Sequence, residues 1–382
     1  MNRSAIVADG FDEVAHEFER NFTEHGELGA SFVVVQDGQI VVDLHGGAAD
    51  AHRPWGPETL GVLFSGTKGL IATCLLVLID RGSLDLQQPV YFYWPEFAAE
   101  NKQDILVRHI VSHTAGMPGL RVPVQVNEIR DFDAMTALLE AQRPFWPAGS
   151  QLCYHSLTFG WLCGELVRRI DGRTVGQFFA DEIARPLELE VWIGLPHEME
   201  SRVCTLTRRD DTPPASHFLC DEDVVWAAKA NPPLHVGEPT FWNDPATHAA
   251  EIPAVNGIGT ARSMARLYGC LASGGELDGA RLVSAATVEQ GRACLSRAPD
   301  ACSGWPFAFG TGFSLQTDAH EFGPPVTAFG HSGAGGSIHG AWPDDRIGFS
   351  YLMNDLRDDQ ERSDALLRAL DRAVHPEGVD VA

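Results

Sequence analysis

Phe64-Ser65-Gly66-Thr67-Lys68-Gly69 opens an apolar run at residues 70–79, and the rest of the chain is organised around it. A serine three residues ahead of a lysine becomes chemistry only if a helix begins there. Leu70, Ile71, Cys74, Leu75, Leu78 and Ile79 recur at helical spacing, and Ser65 is a good N-cap residue. Arg81-Gly82 then supplies a basic last turn and a glycine stop. Positions i and i+3 share a helix face, so the spacing predicts contact between the Ser65 hydroxyl and the Lys68 amine. A helix start would also turn N–H groups and a positive dipole end toward that hydroxyl. Alone, Ser-x-x-Lys is a weak pattern, which a capped core helix with one solvated lysine would satisfy equally well.

The 382 residues exceed one ordinary core and suit two domains, or one large domain with an insertion. Twenty-eight Lys and Arg against 52 Asp and Glu leave a formal charge of −24. That balance argues against nucleic acid or an anionic membrane surface as partner, since both require clustered cations. No apolar run approaches the roughly 20 residues of a spanning helix. Met1-Asn2-Arg3-Ser4 leads into an acidic amphipathic stretch rather than an apolar signal segment. The eight cysteines include no Cys-x-x-Cys pair, and Cys74, Cys153, Cys163 and Cys270 sit in apolar contexts. They read as reduced core residues of a cytoplasmic protein.

In chain order, Phe11, Val14, Ala15, Phe18 and Phe22 share one face of a first helix. Strand-like runs at 31–35 and 39–44 flank Asp37-Gly38, a hairpin turn signal. From 83 to 200 the periodicity is mainly helical, at 105–111, 133–139, 157–170 and 175–183. Residues 201–255 are rich in proline (Pro213-Pro214, Pro232-Pro233, Pro239, Pro245) and carry Phe218, Trp226, Phe241 and Trp242. A helix is predicted at 261–273 with a Gly274-Gly275 stop, then strands at 307–312, 313–316 and 347–352, and a last helix holding Leu366, Leu367 and Leu370. Antiparallel strands at both chain ends around a helical middle predict an α/β fold with a helical insertion. The expected division is an α/β domain at 1–82 and 250–382 and a helical domain at 83–249. Its loop-rich segment 201–249 would cover the site.

Two more stretches would complete the chemistry of Ser65. Pro147-Ala148-Gly149-Ser150-Gln151-Leu152-Cys153-Tyr154-His155-Ser156 delivers Tyr154 just before a helix. Phe329-Gly330-His331-Ser332-Gly333-Ala334-Gly335-Gly336 is glycine-dense enough for a backbone to pass close to a carbonyl and aim N–H groups at it. Two other patterns fall short. His109 and His113 have zinc-ligand spacing without the glutamate of metalloproteases, so no metal is expected. Gly330-His331-Ser332-Gly333-Ala334 misses the last glycine of a nucleophile elbow, which sets Ser332 aside as nucleophile.

Together the three stretches resemble the penicillin-recognising serine hydrolases, and within them the family VIII carboxylesterases related to class C β-lactamases. The motifs correspond to Ser65-Gly66-Thr67-Lys68, Tyr154-His155-Ser156 and His331-Ser332-Gly333. Connecting segments 107–116 and 253–257 fit too, so the resemblance covers roughly residues 10–372. It implies a β-lactamase-like fold with an antiparallel sheet flanked by helices beside a mainly helical part. It implies a cofactor-free carboxylesterase acting on short-acyl, small-molecule esters through a Ser65 acyl-enzyme, with at most weak β-lactam hydrolysis. Amidase, D-aminopeptidase, β-lactamase and acyltransferase chemistry use the same three groups and stay as alternatives. Lys68 or Tyr154 would be the base, and the N–H groups of Ser65 and Ala334 would hold the oxyanion. His331, Gly333, Ser156, Trp226 and Trp242 would line the substrate site. Two departures favour a neutral ester: Ser156 stands where asparagine is common, and His331 where a lysine would attract the penicillin carboxylate. Oligomeric state is not legible.

Overall fold

The computed structural model describes residues 6–209, 218–234 and 239–376, so Pro213-Pro214 of the loop-rich segment lies outside them. Nine strands form one antiparallel sheet. They are β1 (Ile6–Val7), β2 (Gly29–Gln36), β3 (Gln39–Gly47), β4 (Ser296–Pro299), β5 (Pro306–Phe309), β6 (Ser314–Leu315), β7 (Phe329–Ser332), β8 (Ile338–Trp342) and β9 (Ile347–Met353). Their spatial order is β1-β3-β2-β9-β8-β7-β6-β5-β4, so the first and last parts of the chain interleave at β2 and β9. The β2–β3 hairpin turns on Asp37 (φ 49°) and Gly38 (φ 80°), the paired positive φ values of a two-residue turn that suits strand twist. β2 is buried along nearly its whole length, as a central strand covered on both faces must be.

Helix α1 (Asp12–Thr23) packs on β3, where Phe22 and Phe18 lie over Gly46. Helix α2 (Thr67–Asp80) is apolar all round and buried from Thr67 to Leu78. Later helices include α3 (Thr158–Asp171), α4 (Glu222–Lys229) and α5 (Ala261–Ala272). α5 lies on β2, β8 and β9. Its approach depends on a missing side chain, because a Cβ on Gly348 would fall 2.0 Å from the Gly269 nitrogen. A final helix, α6 (Glu361–Val374), packs against α1.

Several expectations change in detail. Ser65 is not a helix N-cap: it sits in a 3₁₀ turn, Phe64–Gly66, and α2 begins only at Thr67. Phe64 takes φ 46°, and this sharp entry leaves the Ser65 hydroxyl uncommitted to capping. The region 201–255 holds α4 and two short helices, Pro239–Trp242 and Pro245–Ala249. The glycine-dense 329–336 stretch is strand first and turn second, since β7 pairs with β8 as far as Ser332↔Ile338. The cysteines are not all reduced, for Cys220 and Cys302 form a disulfide. They lie 82 residues apart and meet only because the start of α4 packs against the loop after β4, a contact no local spacing announces. Five of the remaining thiols are buried, and Cys294 is exposed.

Candidate active site

Four elements converge on the Ser65 turn. α2 carries Lys68 one turn on, and its Nζ lies 3.0 Å from Ser65 Oγ. The loop before α3 brings Tyr154, whose hydroxyl donates to Ser65 Oγ at 2.9 Å. The turn after β7 places Ala334 in the wall beside Ser65, and the segment before α5 contributes the Ala254 carbonyl. Lys68 Nζ also donates to the carbonyl oxygens of Ser156 (2.9 Å) and Ala254 (3.0 Å). A neutral amine has two hydrogens and one lone pair. With both hydrogens spent on those carbonyls, the lone pair faces Ser65 Oγ.

Burial favours this neutral form. Lys68 is fully buried, which pulls its pKa well below the usual lysine range, and the nearby Lys229 ammonium lowers it further. Burial drives the Tyr154 pKa upward and outweighs the Ser65 hydrogen bond that acts in the other direction. Burial thus pushes the pair toward neutral amine and protonated phenol. Of the two base assignments left open by the sequence, this environment favours Lys68.

Tyr154 is held from behind by groups the sequence did not single out for this purpose. Asp300 Oδ1 accepts its backbone N–H at 2.7 Å. His113 packs against its ring with centroids 4.9 Å apart, and Phe307 stacks on it at 5.3 Å. His113 Nδ1 accepts the His155 N–H, and His155 in turn takes the Met117 N–H on Nε2. Burial lowers both histidine pKa values, that of His155 to about 4, so both are neutral props. His109, the other half of the zinc-like spacing, accepts the Leu106 N–H on Nδ1. In the sequence, Pro299-Asp300-Ala301-Cys302-Ser303-Gly304 reads only as a turn, and nothing there singles out Asp300.

Among the described residues, the N–H groups of Ser65 and Ala334 make no backbone hydrogen bond. Gly333 is structural: its N–H goes to the Ser337 carbonyl (2.8 Å), and a Cβ there would sit 2.5 Å from the Leu63 oxygen. His331 is buried, and its Nε2 donates to the Gly312 carbonyl at 2.9 Å. Burial lowers its pKa to about 3, helped by Lys68, so it carries no charge at neutral pH.

Two chambers meet at Ser65, and Tyr154 and Ala334 line both. The larger, about 700 Å³, is walled by Trp305, Phe307, Phe309, Glu321, His331 and Ser332 among others. The smaller, about 280 Å³, is mostly apolar, with Phe64, Ser156, Leu157, Leu234, Trp242 and Val255 in its wall. Trp242 stands edge-on to Phe64 at 5.1 Å. Ser156 reaches Lys68 through its carbonyl rather than its side chain. Trp226 lines neither chamber: α4 turns Ala228 and Lys229 toward the smaller one, and Trp226, most of a turn earlier, stays 39% exposed. Ser332 does not face a histidine, and its hydroxyl donates to Glu321 Oε1 at 2.5 Å.

A serine on a tight turn before a buried helix, with a desolvated lysine and a protonated tyrosine on one oxygen, defines a serine hydrolase of the β-lactamase and penicillin-binding-protein kind. The β-lactamase family pattern matches residues 15–373, and the chain belongs to that family. It is 34% identical over 353 residues to the esterase/β-lactamase LipL of Mycobacterium tuberculosis, covering 86% of this chain and 77% of that one. The crystal structure of a family VIII carboxylesterase superposes with a TM-score of 0.90 at 37% identity, over 97% of this chain and all (100%) of that one. A penicillin-binding-protein homologue from Caulobacter crescentus gives 0.88 at 37% identity, with the same coverage of 97% and 100%.

Proposed function

We propose that the chain is a serine carboxylesterase that cleaves small-molecule esters with short acyl groups through an acyl-enzyme on Ser65. The observation that carries this reading is the placing of Ser65 Oγ between Lys68 Nζ and Tyr154 Oη, at 3.0 and 2.9 Å. Ser65 gives its proton to the neutral Lys68 amine as Oγ attacks the ester carbonyl. The carbonyl oxygen becomes an oxyanion held by the N–H groups of Ser65 and Ala334. Tyr154 passes its proton to the departing alcohol, and the Lys68 ammonium returns one to the phenolate. Water, deprotonated by the same pair, then attacks the acyl-enzyme and frees Ser65.

The relatives named as esterases support the ester as substrate, and the neutral His331 supports it over a carboxylate-bearing lactam. The small apolar chamber supports a short acyl group. Among the described residues no helix is long and apolar enough to cross a membrane. The test is intact mass after a fluorophosphonate. Wild type and Ser332→Ala gain one adduct and Ser65→Ala gains none, with nitrophenyl ester hydrolysis lost only in Ser65→Ala. Labelling of the Ser65→Ala protein would overturn the assignment.

A further inference from the structure

The larger chamber carries a charge that catalysis does not use. Its wall holds Glu321, Asp358, Asp359 and Asp364 against Arg208 and Arg357. Both guanidiniums are engaged: Arg208 pairs with Asp358 at 2.6 Å, and Arg357 with Asp355 at 2.9 Å. Asp359 accepts the Glu361 N–H, and Asp364 lies in the field of Arg368. Glu321 differs from these. Ser332, next to His331 on β7, fixes its Oε1 at 2.5 Å, and among the described residues it forms no ion pair. Burial and the nearby Asp364 push its pKa up, and a bound cation would favour its ionised form.

The same wall is aromatic. Trp305, Phe307 and Phe309 line it, with Phe307 and Phe309 centroids 5.2 Å apart and Trp305 half-exposed at the mouth. A carboxylate beside aromatic faces is the chemistry that receives an ammonium, through charge and cation–π attraction together. The position that would have supplied an opposing cation is the neutral His331.

The two chambers also differ in what they can release. The acyl group stays on Ser65 through both half-reactions and suits the smaller chamber, whose wall is mostly apolar beside Lys229 and Asn231. The alcohol leaves first and needs the wider one.

Resting on the esterase reading above, we propose that the larger chamber receives the leaving alcohol and selects alcohols that bear a protonated amine or quaternary ammonium, with Glu321 as the specificity-determining contact.

Acetylcholine and its uncharged isostere 3,3-dimethylbutyl acetate form the test pair, with acetate release followed in a pH-stat. Wild type should favour acetylcholine in kcat/KM. Glu321→Gln keeps an acceptor for Ser332 and should lower the acetylcholine-to-isostere ratio about tenfold, mostly through KM, with a smaller effect at high salt. A 4-nitrophenyl ester with the trimethylammonium on its acyl side should show no such dependence. An unchanged ratio in a variant with wild-type circular dichroism, or a preference that follows the cation to the acyl side, overturns the proposal. Calorimetric binding of tetramethylammonium decides independently of turnover: wild type should bind it and Glu321→Gln should not, and equal or absent binding in the wild type overturns the proposal. Failure of the esterase reading would show separately, as absent fluorophosphonate labelling of Ser65.

Discussion

Gly66, inside the Ser-x-x-Lys motif, offers a test of how tightly the nucleophile turn is set. Its φ of −54° is open to any residue, so alanine there adds a steric effect alone. A Cβ would lie 2.5 Å from His339 Cδ2 and 2.9 Å from Nε2, against the 3.4 Å at which ordinary contact begins. The turn must therefore move by 3.4 − 2.5, or 0.9 Å, unless His339 yields. His339 is fully buried, and its Nδ1 is bonded to Ser350 Oγ at 2.7 Å. The turn is the softer partner, and it carries Ser65 away from Lys68 and Tyr154. Overpacking of this kind costs about 1–3 kcal/mol, while Gly→Ala returns at most about 1 kcal/mol through the unfolded chain. Gly66→Ala should thus lose about 2 kcal/mol in guanidinium unfolding and about 10²-fold in kcat for a nitrophenyl ester, the scale of a 1 Å misplacement. His339→Ala makes room, so the double mutant should be far less damaged than the product of the two single losses. Strictly additive losses, or a Gly66→Ala enzyme of wild-type rate, would refute this account of the turn.

Other perturbations follow from the same geometry. Lys68→Ala and Tyr154→Phe should each cost at least about 10²-fold in kcat and the double mutant scarcely more, because the pair moves one proton; multiplicative losses would mean independent roles. Folded Lys68 sheds a proton that the unfolded chain keeps up to about pH 10.4, so between its lowered pKa and that value stability should rise with pH. Lys68→Met should remove that slope, seen in unfolding midpoints across the pH range, and an unchanged slope would show that the amine is charged in the native state. Cutting the 82-residue link of Cys220–Cys302 by Cys220→Ser should cost up to about 4–5 kcal/mol by chain entropy, measured by denaturant unfolding; a loss under about 1 kcal/mol would mean that the link constrains little.

The hairpin at Asp37-Gly38, the helix at 261–273 and the Ser65–Lys68 contact were legible because each rests on interactions within a few residues. Periodicity sees those interactions. What stayed hidden depends on chain segments that are distant in sequence. The carbonyls of Ser156 and Ala254 that orient Lys68 are backbone atoms, and no residue type marks them. Asp300 meets Tyr154 across 146 residues, and Cys220 meets Cys302 across 82. Trp226 was misjudged for a different reason. An aromatic residue in a loop-rich segment suggests a pocket wall, but helical phase decides which residues face the chamber, and the phase of α4 chose Ala228 and Lys229.

The ionisation pattern around Ser65 has one mechanistic meaning. Lys68, His113, His155 and His331 are pushed toward neutrality by burial, and Tyr154 is kept protonated by the same cause. On the proposed mechanism the ester carbonyl therefore gains little from these groups in the ground state. In the proposed reaction, Oγ attack would move the proton to Lys68 while negative charge grows on the carbonyl oxygen. An ammonium and an oxyanion would then share one site, and because Lys68 is buried their attraction would be larger than in water. That attraction exists in the transition state and is absent from the bound substrate, so it lowers the barrier without tightening ground-state binding. A lysine charged before the reaction would have spent the same attraction on binding an anion.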